Sequence, residues 1–186
     1  MKIAIIGSAS DHGYKEEEES TAQALGRELA ERGHVVLYGP ELTMPSLSYN
    51  VAKSAIEAGG TTIGISIGSA RTSIYDPSAA TYIIYTDASG GAGREVVLMN
   101  SADAAISIGG GAGTLTEMSI AYMNYIPVVA LKESGGWSSK LAGHFVDARE
   151  KYKVGSATNC TEAVNLAEQM YVDLKGVPSH FDKVPG

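Results

Sequence analysis

The residues best suited to carry out chemistry are a run of glycines and two charged side chains close to it in the sequence. Segment 109–117 reads Gly-Gly-Gly-Ala-Gly-Thr-Leu-Thr-Glu, with four glycines in its first five positions. Glycines let the backbone turn sharply and bring several N–H groups towards one anion, and the dipole of a following helix strengthens the attraction. No lysine follows the last glycine and the spacing is not G-x-G-x-x-G, so the segment is neither a Walker loop nor a dinucleotide motif. It predicts a phosphate site, with a tight turn that binds nothing as the alternative.

The two charged side chains are Glu117 and Arg94. Glu117 stands three positions after Thr114, so it is either the second member of a capping box or a carboxylate for catalysis, and the spacing favours neither. Arg94 follows a second glycine-rich segment, 90–93, at the start of a predicted helix, where a cation opposes the helix dipole. A ligand or an acidic partner for Arg94 is therefore expected. If the strands before the two segments are neighbours, Arg94 and Glu117 face one pocket.

The elements that must position these residues follow from the apolar pattern of the chain. Short apolar runs predict strands at 2–7, 34–38, 61–67, 81–85, 104–108 and 127–131. Helical spacing predicts a helix after a loop at 8–19, then helices at 51–56, 93–102, from about 114, at 138–151 and at 163–170. Strands and helices thus alternate, which predicts a doubly wound, mostly parallel, Rossmann-like α/β sheet with helices on both faces. We expect a single domain at 1–176 and a loose tail at 177–186.

The predicted fold indicates where a ligand binds. In doubly wound sheets ligands lie at the carboxyl ends of the strands, where glycine-rich loops lead into helices. Gly7 and Ser8 follow the first strand and occupy the usual place of a nucleotide contact in this architecture. The four histidines are scattered and lack the spacing of metal ligands. We expect neither a metal site nor a resident cofactor.

Composition excludes several classes of partner. The 14 Lys and Arg residues against 21 Asp and Glu give a net charge of −7, which argues against binding to nucleic acid or to an anionic membrane. No apolar stretch approaches the roughly 20 residues of a membrane span. Cys160 is the single cysteine and has no partner for an intramolecular disulfide, so we expect a reducing compartment, the cytoplasm.

The sequence from Gly93 to Glu117 resembles the Lonely Guy (LOG) superfamily, Rossmann-like proteins often labelled lysine decarboxylases. Its members share an arginine-bearing helix followed by the pattern P-G-G-x-G-T-x-x-E, and the spacing from Arg94 to Glu117 agrees with that pattern without a gap. The wider sequence is similar to the prokaryotic branch related to molybdenum cofactor carrier proteins, in which glycine often begins the loop, as Gly109 does here. The resemblance is specific over about 90–131 and looser over 1–67.

The resemblance implies an activity and roles for particular residues. Enzymes of the superfamily hydrolyse the N-glycosidic bond of nucleoside 5′-monophosphates and release the base and ribose 5-phosphate. By this likeness Arg94 fixes the ribose and phosphate, and Glu117 stabilises an oxocarbenium-like ribose or orients water, as carboxylates do in glycosidases. The residues that hold the phosphate are then Gly110, Gly111, Gly113 and Thr114.

Three departures from the superfamily pattern leave a second hypothesis open. Gly109 stands where proline is common in the active enzymes, and Glu95 stands where lysine is frequent. Segment 38–46, Tyr-Gly-Pro-Glu-Leu-Thr-Met-Pro-Ser, replaces a glycine-rich segment that usually follows the second strand. The protein is therefore either a phosphoribohydrolase or a carrier that holds a nucleotide or a phosphorylated, molybdenum-cofactor-like pterin without turnover. Under both hypotheses the partner is a small phosphorylated molecule.

The resemblance also implies self-association, because homo-oligomers are usual in the superfamily. We expect a homodimer or a homotetramer. The predicted helix that begins near Thr114 offers an apolar face for such contacts, and packing in the core is an equally good explanation of that face. The residues concerned are Met118, Tyr122, Met123 and Tyr125.

Overall fold

The computed structural model describes residues 1–9, 16–42, 46–88 and 93–177. Within these ranges the chain forms seven strands, β1 Lys2–Gly7, β2 Val35–Tyr38, β3 Thr61–Ser66, β4 Tyr82–Tyr85, β5 Ala104–Ile108, β6 Val128–Leu131 and β7 Gly155–Ala157. The same ranges contain six α-helices, α1 Glu16–Glu31, α2 Leu47–Glu57, α3 Gly93–Asn100, α4 Ala112–Met123, α5 Gly136–Leu141 and α6 Cys160–Leu174, and a 3₁₀ turn at Pro77–Ala79.

The strands form one parallel sheet in the order β4-β3-β2-β1-β5-β6-β7. The central strands are apolar and buried on both faces, as parallel strands covered by helices must be. The predicted α/β fold with a Rossmann-like parallel sheet is therefore confirmed. The chain builds outwards from β1 in one direction and from β5 in the other, so the switch point lies between these two strands. Gly7 pairs with Ile108 there, which places the loops after β1 and β5 side by side.

Helices cover both faces of the sheet and bury two apolar cores. One core joins the sheet to α1, α2 and α6, and the other joins it to α3, α4 and α5. Since α1 follows β1 on the first face and α4 follows β5 on the second, the crevice between the two loops opens at the point where the faces diverge. No helix in the described part of the chain has the length and apolar character needed to cross a membrane.

Two predicted helix boundaries were wrong, and one strand was missed. The helix predicted at 138–151 ends at Leu141, because Gly143 has a φ of +77° and its N–H donates to Val154 O, which turns the chain back antiparallel to itself. That turn leads into β7, a strand of three residues that is too short to show a period of two and was missed. The first helix begins at Glu16 rather than after Glu19, so four glutamates fill its first turn and favour its dipole. The predicted tail lies outside the described residues beyond position 177.

Candidate functional site at the switch point

The glycine segment after β5 has a backbone conformation that residues with a side chain adopt only under strain. Gly109 and Gly110 have φ angles of +66° and +97°, in the region where side chains are strained. Proline has a fixed φ near −65° and cannot adopt this shape at all. Gly109, at the position where proline is common in the superfamily, therefore adopts a conformation that proline cannot adopt.

Serines from two neighbouring loops fix this segment. Gly110 N donates to Ser8 Oγ at 2.8 Å, and Gly109 N donates to Ser134 Oγ at 2.7 Å. Ser8 N donates in turn to Ile108 O at 3.0 Å, so the loop after β1 is tied to the end of β5. Ser8 was predicted as a nucleotide contact; the structure adds that it is an acceptor for the glycine segment. Ser134 was missed, although it follows β6 as Ser8 follows β1 and therefore lies at the same edge.

The start of α4 leaves amide groups unused by the helix. Gly111 is the N-cap, and the first hydrogen bond within the helix runs from Leu115 N to Gly111 O at 3.1 Å. The N–H groups of Ala112, Gly113 and Thr114 precede that bond and point out of the helix start, the arrangement that helices use when they bind anions. The predicted phosphate residues Gly110, Gly111, Gly113 and Thr114 thus share one turn of backbone.

The capping-box interpretation of Glu117 was wrong. The helix begins at Ala112, so Thr114 lies inside its first turn and is not the N-cap. The Thr114 hydroxyl instead donates to Gly7 O at 3.3 Å and joins α4 to the end of β1. The glycines before Thr114 allow the earlier start, because Gly111 caps the helix without a side chain. Glu117 therefore has no capping role and lies in the second turn of α4.

A cavity of about 560 Å³ opens beside the glycine segment. It lies on the α1 side of the switch point, and Ser8 and Gly110 are the predicted site residues that line it. Its described walls also carry the carboxylates of Glu17, Glu18 and Glu133, together with the hydroxyls of Thr21, Ser134 and Thr158. These residues were not predicted as ligand contacts. Their common signal is that each belongs to a loop or helix start after a parallel strand.

Arg94 and Glu117 come together on the opposite side of the glycine segment. Arg94 Nη2 lies 3.5 Å from Glu117 Oε1 and 3.3 Å from Glu95 Oε1. Arg94 Nη1 lies 4.0 Å from Oε2 of Glu41, a residue of the loop after β2 that was not predicted. Three carboxylates therefore surround one guanidinium. Within the described part of the chain, neither Arg94 nor Glu117 lines the cavity.

Burial controls the electrostatics of this cluster. The Glu117 side chain is 7% exposed. Its burial raises the pKa from the ordinary 4.5 to about 7; Arg94 opposes that change and Glu95 adds to it. Glu117 therefore holds or releases a proton close to neutral pH. Nε of Arg94 is also buried and has no hydrogen-bond partner among the described residues. Such an arrangement suits proton transfer or stabilisation of a positive charge at a bound molecule.

The apolar residues predicted for a helix face divide between two environments. Met118 and Tyr122 are buried in the core, whereas Met123 is 46% exposed at the end of α4. Core packing therefore explains the first two side chains. The expected homodimer or homotetramer stays a prediction.

The parallel sheet, its switch point and the glycine-led start of α4 define a Rossmann-like α/β protein of the LOG type. The chain belongs to the SLOG cluster4 family, whose model matches residues 1–164. An uncharacterized protein of Archaeoglobus fulgidus is 33% identical over 132 residues, which cover 71% of this chain and 80% of that protein. The resemblance to the LOG superfamily is thereby confirmed.

Two solved structures are similar over almost their whole length. The crystal structure of TM1055 has a TM-score of 0.78 and 28% identity, covering 90% of this chain and 98% of that one. The molybdenum cofactor carrier protein of Chlamydomonas reinhardtii has a TM-score of 0.75 and 25% identity, covering 92% of this chain and 98% of its own. The fold is therefore shared over about nine-tenths of this chain.

Proposed function

We propose that this protein binds a small phosphorylated molecule, a nucleotide or a phosphorylated pterin of the molybdenum-cofactor type, and holds it without turnover. The observation that carries the proposal is the start of α4, where three amide N–H groups precede the first helical hydrogen bond. They follow Gly110, which lines a cavity large enough for such a ligand. A cavity of about 560 Å³ falls in the usual range of small-molecule sites.

The phosphate belongs at the start of α4. Its N–H groups and the positive end of the helix dipole attract a negative charge, and α4 is long enough, at 12 residues, to have a full dipole. Ser8 supports this position because its Oγ accepts from Gly110 N and leaves its own proton to donate to a ligand oxygen.

The rest of the ligand would lie beside acidic residues rather than beside amide N–H groups. Glu17, Glu18 and Glu133 line the cavity beside the glycine segment, so a second anionic group there is repelled. Groups that donate hydrogen bonds, such as sugar hydroxyls and ring amino groups, suit carboxylate acceptors. A ligand with one phosphate and a donor-rich ring or sugar fits both parts, which describes nucleoside monophosphates and phosphorylated pterins.

One feature of the glycine segment favours a carrier over a hydrolase. Gly109 has a φ of +66°, which gives the segment a shape that the proline-led loop of the active enzymes cannot adopt. Similarity to molybdenum cofactor carrier proteins supports the same choice.

Hydrolysis of a nucleoside 5′-monophosphate is the second candidate, and the buried Glu117 favours it. In that reaction water adds to the anomeric carbon while the C–N bond breaks, and the electron pair leaves with the base, which takes up a proton. An ionised Glu117 would stabilise the positive charge that develops on the sugar or accept the proton of the water. A carboxyl group with a pKa of about 7 exists in both states at neutral pH.

One experiment separates the two candidates. The purified protein is titrated by calorimetry with AMP, GMP, CMP, UMP and isolated molybdenum cofactor, and the nucleotide mixtures are then analysed for free base and ribose 5-phosphate by chromatography. Glu117→Gln is treated in parallel. Saturable binding without release of base, retained in the variant, supports the carrier. Release of base that the variant loses supports the hydrolase, and absence of binding to all five compounds contradicts the proposal.

A further inference from the structure

The segment that replaces the glycine-rich stretch of the superfamily places a carboxylate against Arg94. Glu41 lies in the loop after β2, and its Oε2 is 4.0 Å from Arg94 Nη1. Its other oxygen, Oε1, accepts a hydrogen bond from Ile67 N at 2.7 Å, just after β3. The Glu41 side chain is 13% exposed. A side chain that is tied to the backbone of a neighbouring loop in this way has a fixed position rather than the mobility of a surface glutamate.

Gly39 provides the surface on which the guanidinium rests. A Cβ added at this position would lie 1.8 Å from Arg94 Nη1. Arg94 Nη1 therefore packs directly against the backbone of the loop after β2, and any side chain at position 39 would displace it. The backbone of Gly39 and the carboxylate of Glu41 therefore both lie against the Nη1 side of the Arg94 guanidinium.

The two terminal nitrogens of Arg94 are directed to different elements. Nη1 faces Glu41 of the β2 loop, while Nη2 faces Glu117 of α4 and Glu95 of α3. Carboxylates at both ends of the planar guanidinium favour one orientation of its plane more strongly than a carboxylate at one end does. Loss of the contact on the Nη1 side would leave the group free to rotate about its link to Glu95 and Glu117.

We propose that Glu41 is a positioning residue that acts through Arg94 and sets the orientation in which Arg94 meets the ligand. This inference rests on the proposed function and extends it, because it takes the ligand to reach from the start of α4 to Arg94, outside the cavity described above. The glycine-rich segment usual in the superfamily has no carboxylate at this place, so it cannot position the guanidinium as Glu41 does. Its role is separate from that of Glu117, because Glu41 is assigned no contact with the ligand and only positions the guanidinium.

The first arm of the test needs no ligand. The Nε–H signal of Arg94 is assigned in a ¹⁵N-correlated NMR spectrum by its loss in Arg94→Lys, and its exchange with water is measured in the native protein and in Glu41→Gln. We expect exchange in Glu41→Gln to be about fivefold faster or more, the effect of losing one partly buried ion pair. Glu31→Gln, at an exposed glutamate at the far end of α1, removes the same charge and should leave the signal unchanged. An unchanged signal in Glu41→Gln overturns the proposal.

The second arm is a double-mutant cycle with the nucleotide that binds best in the calorimetric series. Glu41→Gln should weaken binding by about fivefold in the native background and by less than about twofold in the Arg94→Lys background, because its effect passes through Arg94. Glu41→Asp, which keeps the charge, should recover part of the affinity. Equal losses in both backgrounds overturn the proposal. Absence of nucleotide binding in the native protein contradicts the proposed function instead and leaves the NMR result to decide the role of Glu41.

Discussion

Glu117 Oε1 and Arg94 Nη2 lie 3.5 Å apart, although one residue belongs to α4 and the other to α3. The contact depends on the packing of these two helices on one face of the sheet, with their starts at the same edge. The attraction does not offset the loss of water around Glu117, because its pKa is still raised to about 7. The cluster therefore costs stability, and that cost is measurable.

Substitution of Glu117 by Gln should remove this cost and with it part of the pH dependence of stability. The native carboxyl has a pKa of about 7 against an ordinary 4.5, so between these values the folded state keeps a proton that the unfolded chain has released. The free energy of unfolding therefore falls as the pH rises through this window. At pH 8 we expect Glu117→Gln to be more stable than the native protein, by up to about 3 kcal/mol. Urea unfolding at pH 5, 6, 7 and 8 measures this difference.

Glu31→Gln is the matched control, since Glu31 is exposed and the substitution removes the same charge. Its stability should follow that of the native protein at every pH. If Glu117→Gln is less stable than the native protein at pH 8, the ion pair with Arg94 outweighs the desolvation of Glu117. That result would contradict the raised pKa.

Gly109 tests whether the shape of the glycine segment is required. Gly109→Ala places a side chain at a φ of +66°, with its Cβ 2.4 Å from Ser8 Oγ, and should destabilise the fold by about 1–2 kcal/mol. Gly109→Pro forbids that φ and also removes the N–H that donates to Ser134 Oγ, so its loss should be larger, about 3 kcal/mol or more. Thermal and urea unfolding give both values.

Gly113 offers the control for Gly109. It has no positive φ, lies in the first turn of α4, and a Cβ added there meets no atom within 4 Å. Gly113→Ala should therefore be neutral or stabilising, because alanine is the better helix former. A Gly109→Pro variant as stable as Gly113→Ala would show that the segment accepts the proline-led shape after all, and it would remove a main argument for the carrier.

The sequence predicted the parts of the site that depend on fold class and missed those that depend on individual side chains. Alternation of strands and helices implied a parallel sheet. Arg94 and Glu117 do come together, but the condition stated for it was wrong, because β4 and β5 are not neighbours in the sheet. They meet because α3, which leads back from β4 to β5, packs against α4. The capping box failed because Thr114-x-x-Glu117 matches by spacing alone, while the helix start is set earlier by Gly111. Ser134 and Glu41 contact residues of other loops and helix starts at the same edge of the sheet, and a linear sequence carries no signal for such a contact beyond their position after a strand.

The cavity walls predict a preference for ligands with a single phosphate. Glu17, Glu18 and Glu133 line the space beyond the start of α4, so the additional negative charge of a triphosphate is repelled. In buffer without divalent cations we expect AMP to bind about tenfold or more tightly than ATP, a difference of about 1.4 kcal/mol. Calorimetry at constant ionic strength measures it. Glu133→Gln should narrow the gap, and ATP affinity equal to or above that of AMP would contradict the assigned cavity.

Gly39→Ala separates the position of Arg94 from the stability of the fold. The added methyl group would lie 1.8 Å from Arg94 Nη1, which is the far end of a flexible side chain, so the guanidinium can move away while the backbone stays. We expect a loss of stability below about 1 kcal/mol, as for most substitutions that leave the core intact. The displaced guanidinium no longer opposes the burial of Glu117, so the pKa of Glu117 should rise above 7. Titration of ¹³C-labelled glutamate by NMR follows this pKa directly.

The control for Gly39→Ala is Gly176→Ala, at a position without a positive φ where an added Cβ meets no atom within 4 Å. It should leave both the stability and the pKa of Glu117 unchanged. If the pKa of Glu117 also stays at about 7 in Gly39→Ala, Arg94 keeps its distance of 3.5 Å to Glu117 without its contact with the loop after β2. The position of Arg94 would then be set by α3 and α4 alone, and the loop after β2 would have no part in the charge state of Glu117.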